Sequence, residues 1–312
     1  MINLENKGYD EVWGPDSQAP YLSQTLRSQG VLLSQYYGTA HNSTPDYLAQ
    51  ISGQPANPMT QDDCPNYLPF TQTGTAGTGQ VVGEGCVYPA SVNTIAGQLS
   101  AAGKSWRAYM EDMKKPCQHP AVGARDDHRG AQVGEQYATH HNPFVYFESI
   151  TSSPNCSNDV VNFSALGPDL ASVASTRNLS YITPNVCHDG HDSPCVDGSP
   201  GGLDSINSWL RQQIPAILDS PAYKLDGLLV ITFDEADRGA VGPPGVVGGT
   251  DGGRVGALVL SRFTAGGTTS DRVYNHFSLL ASLEDAFSLP RLGIAGEPGV
   301  NSFGADVYNA QP

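Results

Sequence analysis

Basic side chains are scarce in this chain, with 16 Lys and Arg against 31 Asp and Glu, a formal charge of -15 over 312 residues. A surface that acidic repels phosphate backbones and acidic bilayers unless a local cation intervenes, which argues against nucleic acid as a partner. Long apolar runs are missing as well. The longest, Gly227–Phe233 and Val255–Leu260, fall well short of the ~20 residues a membrane-spanning helix needs, so no transmembrane segment is expected. No basic stretch followed by an apolar core stands in residues 1–20, so no signal peptide is legible there. GxSxG, P-loop and HExxH patterns are absent, which lowers the α/β-hydrolase, nucleotidase and zincin readings. Trp106, Trp209 and the 14 tyrosines are not spaced as a stacking platform for bases and read as core or loop anchors.

The material that is present suffices to fold. Hydrophobic residues make up 39%, and 35 Gly with 23 Pro imply many loops. The length is about twice a ~150-residue domain, which allows two small domains or one large α/β unit. Six cysteines (Cys64, Cys86, Cys117, Cys156, Cys187 and Cys195) contain no CxxC pair and lie in Pro- and Asn-rich stretches. That pattern reads as an oxidised framework, with zinc ligation as the alternative. Proximity favours Cys64 with Cys86 and Cys187 with Cys195, leaving Cys117 for Cys156, although spacing cannot choose among all the pairings. Disulfides imply export, to a secreted or cell-surface location.

Between the cysteine-bearing loops the pattern alternates helix and strand. Helices are expected at 20–29, 46–51, 92–102, 205–218 and 277–287, with Asp204 as a cap and Pro215 kinking or ending the fourth. Strands are expected at 31–33 and 105–109, with buried strands at 225–233 and 254–261, the former parallel. This order predicts one α/β sheet with helices on both faces. Polar segments at 54–90, 111–140 and 185–203 are too long for ordinary connections and are expected as excursions over the sheet's carboxyl edge, where ligands bind. Gly239–Gly253 is expected to be a mobile loop.

Four polar clusters stand next to expected strand ends. Glu5-Asn6 follows the apolar stub Met1–Leu4 and offers hard oxygen ligands for a divalent cation, or a solvated loop. His41-Asn42-Ser43-Thr44-Pro45-Asp46-Tyr47 follows the strand-like Val31–Tyr37 and leads into a short helix. A serine there would have its oxygen near the helix's positive end, which favours an alkoxide and a bound phosphoryl group, while simple capping is the plainer reading. His188, Asp189, His191 and Asp192 form the densest titratable group and suggest a metal or phosphate site, flanked by Cys187 and Cys195. Asp234-Glu235 follows the most apolar strand, and neighbouring negative charges there call for a cation. His276, alone at the start of the last helix, can be structural or catalytic.

Taken in order, the clusters resemble the phosphoesterase family of secreted acid phosphatases and phospholipases C, related to the alkaline phosphatase superfamily. The segments that carry the resemblance are Glu5-Asn6, His41–Gly53, Ser105–Met113, His141–Ile150, Thr183–Asp192, Thr232–Glu235 and Tyr274–Gly293. They cover nearly the whole chain and are most similar to acid phosphatases, including a phosphatidylinositol 3-phosphate phosphatase type. The resemblance implies a single domain over residues 1–312 with an alkaline-phosphatase-like, mostly parallel sheet. It implies Ser43 as nucleophile, since it precedes Pro45 by two residues. It also implies Glu5, Asn6, Asp234 and Glu235 as ligands of a divalent metal ion, with His41, His191 and His276 around the phosphate. His188, Asp189 and Asp192 are candidates for a second site or for phosphate binding. The chain departs from the family at Asp46, where Asn is usual, and at Asn42, where Pro is frequent. It also begins inside the family's expected first strand, with Met1–Leu4 short for a central strand and Glu5 then loosely held.

The expected reaction is phosphate monoester hydrolysis through a phosphoserine. Uncatalysed, that reaction is among the slowest known, and serine with histidine alone would not suffice, which motivates the metal. In this reading Asn6 and His41 hold phosphoryl oxygens, and His191 or His276 protonates the leaving alkoxide. The substrates are small phosphate esters or phosphoinositide headgroups, with transient contact to lipid headgroups. The alternatives are a phospholipase C-type phosphodiesterase, a metal-free serine esterase and an inactive secreted binding protein.

Overall fold

In a computed structural model, which describes residues 1–310, twelve strands are numbered along the chain. They are β1 (Ile2–Leu4), β2 (Val31–Leu33), β3 (Tyr36–Tyr37), β4 (Thr71–Ala76), β5 (Gln80–Glu84), β6 (Trp106–Met110), β7 (Val160–Asn162), β8 (Leu179–Thr183), β9 (Leu228–Phe233), β10 (Ala257–Ser261), β11 (Thr268–Ser270) and β12 (Tyr274–Asn275). Eight of them form one sheet in the order β11-β2-β10-β9-β1-β8-β6-β7. Every pairing is parallel except those of β10, which runs antiparallel to both β9 and β2. The expected α/β architecture is therefore present, mostly parallel with one reversed strand. The inner strands are mostly apolar because both faces are covered, and Leu229–Phe233 and Ala257–Leu260 are buried throughout.

The short β1 lies at the centre, between β9 and β8. Leu4 is in register with Phe233 and Ile2 with both Ile231 and Ile182. Parallel register carries Glu5 and Asp234 out of the same sheet edge side by side, and Asp234 N–H still donates to Leu4 O at 3.0 Å. From the same edge, β8 delivers the segment that begins at Asn185, and β6 delivers Glu111. Asn3, buried within β1, accepts from Gln50 of the helix Ser43–Ser52 at 3.1 Å, so that helix packs across the sheet centre. A glutamine and an asparagine can be buried there because Tyr181 also donates to Gln50, at 2.7 Å.

Several local expectations are corrected. The helix Gly202–Asp219 runs through Pro215, and Asp204 lies in its first turn rather than capping it. Pro215 is exposed, so the carbonyl it leaves unpaired, that of Arg211, can be hydrated on the solvent side. Leu225 and Asp226 end a separate helix, Pro221–Asp226, started by Ser220, whose Oγ accepts from Tyr223 N–H. The glycine-rich stretch 239–253 is pinned: Gly242 N–H donates to Thr250 O at 2.9 Å, Gly38 N–H to Gly253 O at 3.0 Å, and Asn275 Nδ2 to Val247 O at 2.9 Å. The segment 54–90 carries the β4–β5 hairpin.

Three disulfides, Cys64–Cys86, Cys117–Cys156 and Cys187–Cys195, follow the pairing that proximity favoured, with Cα separations of 5.8, 5.5 and 5.1 Å. Each staples one long polar segment. Among the described residues no helix is long and apolar enough to cross a membrane.

Candidate active site

Ser43 is the first residue of a ten-residue helix, where the free N–H groups and the positive dipole end lie. Its Oγ donates to Glu5 Oε2 at 2.8 Å. The other oxygen of Glu5 accepts from Tyr47, one turn along the same helix face. Glu5 is further fixed through its backbone, whose N–H donates to Asp189 O at 2.9 Å. Despite the shortness of β1, the carboxylate is therefore anchored on three sides.

Asn6 and Asp234 complete the strand-borne side. Asn6 sits in the left-handed region (φ 52), and its N–H donates to Asp234 Oδ1 at 3.0 Å. Asn6 Oδ1 and Asp234 Oδ2 are both buried with no hydrogen-bond partner. Burial pushes the Asp234 carboxyl up, and polar neighbours that favour its charged form, the Asn6 amide among them, offset part of that. Burial, then the charges of Asp234 and Asp189, hold Glu5 well above the usual carboxylate range.

The opposite side is carried by loops. His141, fully buried in the turn Thr139–His141, has Nδ1 at 3.0 Å from Asp189 Oδ2 and 3.6 Å from Glu5 Oε1, and stacks on Tyr47 at 5.5 Å. Its Nε2 is buried without a partner, and burial holds the ring neutral, well below its ordinary pKa. Asp189 is completely buried and pushed up to about 8, chiefly by burial. His191 stands 5.6 Å from the His141 ring, with Nδ1 at 2.8 Å from Asp192 Oδ1, a hydrogen bond that raises its pKa. Its N–H donates to Asp189 Oδ1 at 2.8 Å.

The donor set fits a divalent cation. Glu5, His141 and Asp189 each offer a ligand atom, all within 4.8 Å of one another. Glu5, Asp189, Asp234 and Glu235 are all buried, and among the described residues only His41 and His141 lie within ion-pair distance of them. Four carboxylates in that setting, with unpartnered Asn6, Asp234 and His141 atoms beside them, lack the positive charge that would balance them.

Not every expected residue converges on Ser43. The Glu235 carboxylate turns to the backbone before it, accepting from Asn42 N–H at 2.9 Å and pairing with His41 Nδ1; burial pushes it up to about 9. His41 spends its other nitrogen on Ala240 O at 2.8 Å. His276 lies fully buried behind the site, with Nε2 on Asp234 O at 2.6 Å and Nδ1 on the Tyr36 hydroxyl at 3.0 Å, and burial lowers it to about 4. His188 is drawn aside to Glu111, at 2.9 Å, where that carboxylate raises its pKa against the opposing pull of burial. Asp46 accepts from Thr39 N–H at 2.6 Å and Thr39 Oγ1 at 2.7 Å, bonds that an asparagine carbonyl would also accept. His141 and Tyr47 were not singled out individually by sequence, although both lie in segments that carry the resemblance.

Comparison with known proteins bears on family and fold. The sequence matches the Phosphoesterase family over residues 7–290. It is 28% identical over 292 residues to a phosphate-repressible acid phosphatase of Penicillium chrysogenum, covering 94% of this chain and 59% of that protein. It is 24% identical over 295 residues to a phosphatidylinositol-3-phosphatase of Mycobacterium tuberculosis, covering 95% of this chain and 78% of that one. The chain spans 58 to 61% of the length of the fungal acid phosphatases it matches. Among solved structures, a putative sulfatase from Bacteroides thetaiotaomicron superposes with a TM-score of 0.56 at 12% identity, over 100% of this chain and 74% of that one. An alkaline phosphatase superfamily protein from Vibrio parahaemolyticus gives 0.55 at 11% identity, over 95% and 69%.

Proposed function

Since the chain belongs to the phosphoesterase family, we propose that it is a metal-dependent phosphomonoesterase of the acid phosphatase type, working through a phosphoserine on Ser43. The observation that carries the reading is the Ser43 hydroxyl at a helix N-terminus, 2.8 Å from a buried carboxylate that belongs to a charge-rich, cation-poor cluster. Acid phosphatases and a phosphatidylinositol-3-phosphatase among the relatives support the substrate class, small phosphate monoesters or phosphoinositide headgroups.

The cation would be held by Glu5 with Asn6 and Asp234, and His141 and Asp189 extend the donor set on the other side of Glu5. It supplies charge neutralisation of the ester and a lowered pKa for the serine. The remaining work belongs to the chain. Ser43 Oγ attacks phosphorus in line; with Asn42 N–H held by Glu235, Thr44 N–H held by Asp63 and no N–H on Pro45, the first turn offers the phosphoryl oxygens its positive dipole end and the Ser43 N–H. His191, half-exposed and with its pKa raised by the hydrogen bond to Asp192, gives a proton to the leaving alkoxide, and then takes one from the water that cleaves the phosphoserine. His276 is assigned a structural role, because it is neutral, buried and engaged at both nitrogens. His41 and Glu235 brace the turn that enters the helix. The three disulfides support an extracellular setting.

The test is a panel of p-nitrophenyl phosphate, its bis ester and p-nitrophenyl acetate, each with and without chelator. We expect metal-dependent turnover of the monoester, a kcat lower by at least about a thousandfold in Ser43→Ala, and one phosphoryl group trapped on Ser43 by acid quench. A folded, metal-replete Ser43→Ala protein that matches the parent would overturn the reading.

A further inference from the structure

Two residues of the 54–90 excursion, Gln61 and Asp63, grip the chain on both sides of Ser43. Thr44 N–H donates to Asp63 Oδ1 at 2.9 Å, and Asn42 Nδ2 donates to Gln61 O. Between these, Asp62 O accepts from the Arg129 guanidinium at 2.9 Å, which ties in the 111–140 excursion.

The backbone they grip needs restraint. Asn42 has φ 72 and ψ 146, a region that residues with a Cβ rarely occupy, and its side chain does not cap the helix it precedes. Asp63 supplies that cap from another segment, accepting the N–H that an N-cap side chain would ordinarily take. Asp63 is held in its turn. It and Cys64 are successive left-handed residues, with φ 51 and 50, and Cys64 is buried and bonded to Cys86. Such a conformation persists where its surroundings fix it.

We infer that Asp63 is a positioning residue: through Thr44 N–H it fixes the backbone of the Ser43 turn, so that Oγ stays directed at Glu5. The inference rests on Ser43 being the nucleophile. An attacking atom displaced by about 1 Å can cost about a hundredfold in rate, so a lost tether should show in kcat rather than KM.

Asp63→Ala and Asp63→Asn separate the tether from the charge, because asparagine keeps an acceptor oxygen. Amide hydrogen exchange across residues 40–47 reads the tether without reference to activity, and kcat and KM for p-nitrophenyl phosphate read its consequence. In Asp63→Ala we expect exchange about tenfold faster and kcat about tenfold lower with KM within about twofold; Asp63→Asn restores both to within about threefold. The inference is overturned by parental exchange in Asp63→Ala, by faster exchange with parental kcat, or by an Asp63→Asn protein as impaired as the alanine variant. Should the parent hydrolyse no phosphate monoester, the phosphatase reading fails, while exchange still decides whether Asp63 holds the turn.

Discussion

The two sides of the pocket around Ser43 are built on different principles. Glu5, Asn6 and Asp234 leave the ends of adjacent paired strands, so sheet register sets their spacing and they cannot move apart without breaking β1 from β9. Asp189, His191 and His141 come from long excursions and borrow their order from cross-links: the Cys187–Cys195 disulfide, the Asn185 amide N–H on Glu111 at 3.0 Å, and Asp189 on the His141 ring. The strand side concentrates buried negative charge that neither relaxes nor meets solvent. The loop side holds His191, about as exposed as its neighbour His188, and it is His191 that the proposed mechanism charges with proton transfer. In the proposed mechanism the sheet thus sets the spacing of the Glu5–Asn6–Asp234 ligands, and the loops add Asp189 and the proton donor.

The strongest way to break that comparison is to neutralise the sheet side. Asp234→Asn removes a buried charge with an unpartnered oxygen, and should lower kcat at least about a thousandfold while leaving the chelator-treated protein as stable as the parent or more so. A large loss of metal-free stability would show that Asp234 is chiefly a structural acceptor. The next contrast sets two histidines against each other. His191→Gln should cost about a hundredfold in kcat on alkyl phosphates and much less on p-nitrophenyl phosphate, whose leaving group needs no proton. His276→Gln should lower the melting temperature and show no such dependence on leaving group, because its ring bonds Tyr36 and Asp234 O inside the core. Equal leaving-group sensitivity in both would erase the division of labour.

The smallest effect is on stability against pH. Asp189 and Glu235 are pushed up to about 8 and about 9 by burial, above ordinary carboxylate values near ~4. The folded, metal-free protein therefore binds protons that the unfolded chain has lost. The stability these groups contribute is complete below pH ~4 and disappears as pH rises through 8 to 9. In chelator, the melting temperature should fall steadily between pH 5 and 9, and divalent cation should flatten the slope. A metal-free protein that gains stability over that range would contradict the burial account.

What could be read from sequence divides along the same line. Glu5-Asn6 and Asp234-Glu235 stand out as polar doublets directly after apolar strands, which must emerge at a sheet edge, whereas Ser43 reads locally as a plain cap and only the family resemblance marks it as nucleophile. His141 follows a loop and precedes a short turn, so no periodicity marks it; only its tertiary contact with Asp189 and Glu5 does. Asp63 is equally silent, since its partner lies 19 residues earlier. Glu235 and His276 stood at the right places in the chain but turned to backbone and core, a choice made by rotamers and neighbours that spacing does not encode. The reversal of β10 was hidden for another reason, because a strand covered on both faces has the same apolar composition whichever way it runs.

That reversal has an architectural corollary. A strand that opposes its neighbour begins where the neighbour ends, so the chain departs from the edge at Phe233 and returns to it beside the same strand, with its two feet about 5 Å apart. Within residues 234 to 256, the stretch beyond Asp234 and Glu235 is thus a fascia over one flank of the site. Lengthening or exchanging its outer part would cost little beyond loop entropy and would leave the eight-stranded frame untouched. It is where a lineage could restyle the doorway without rebuilding the house.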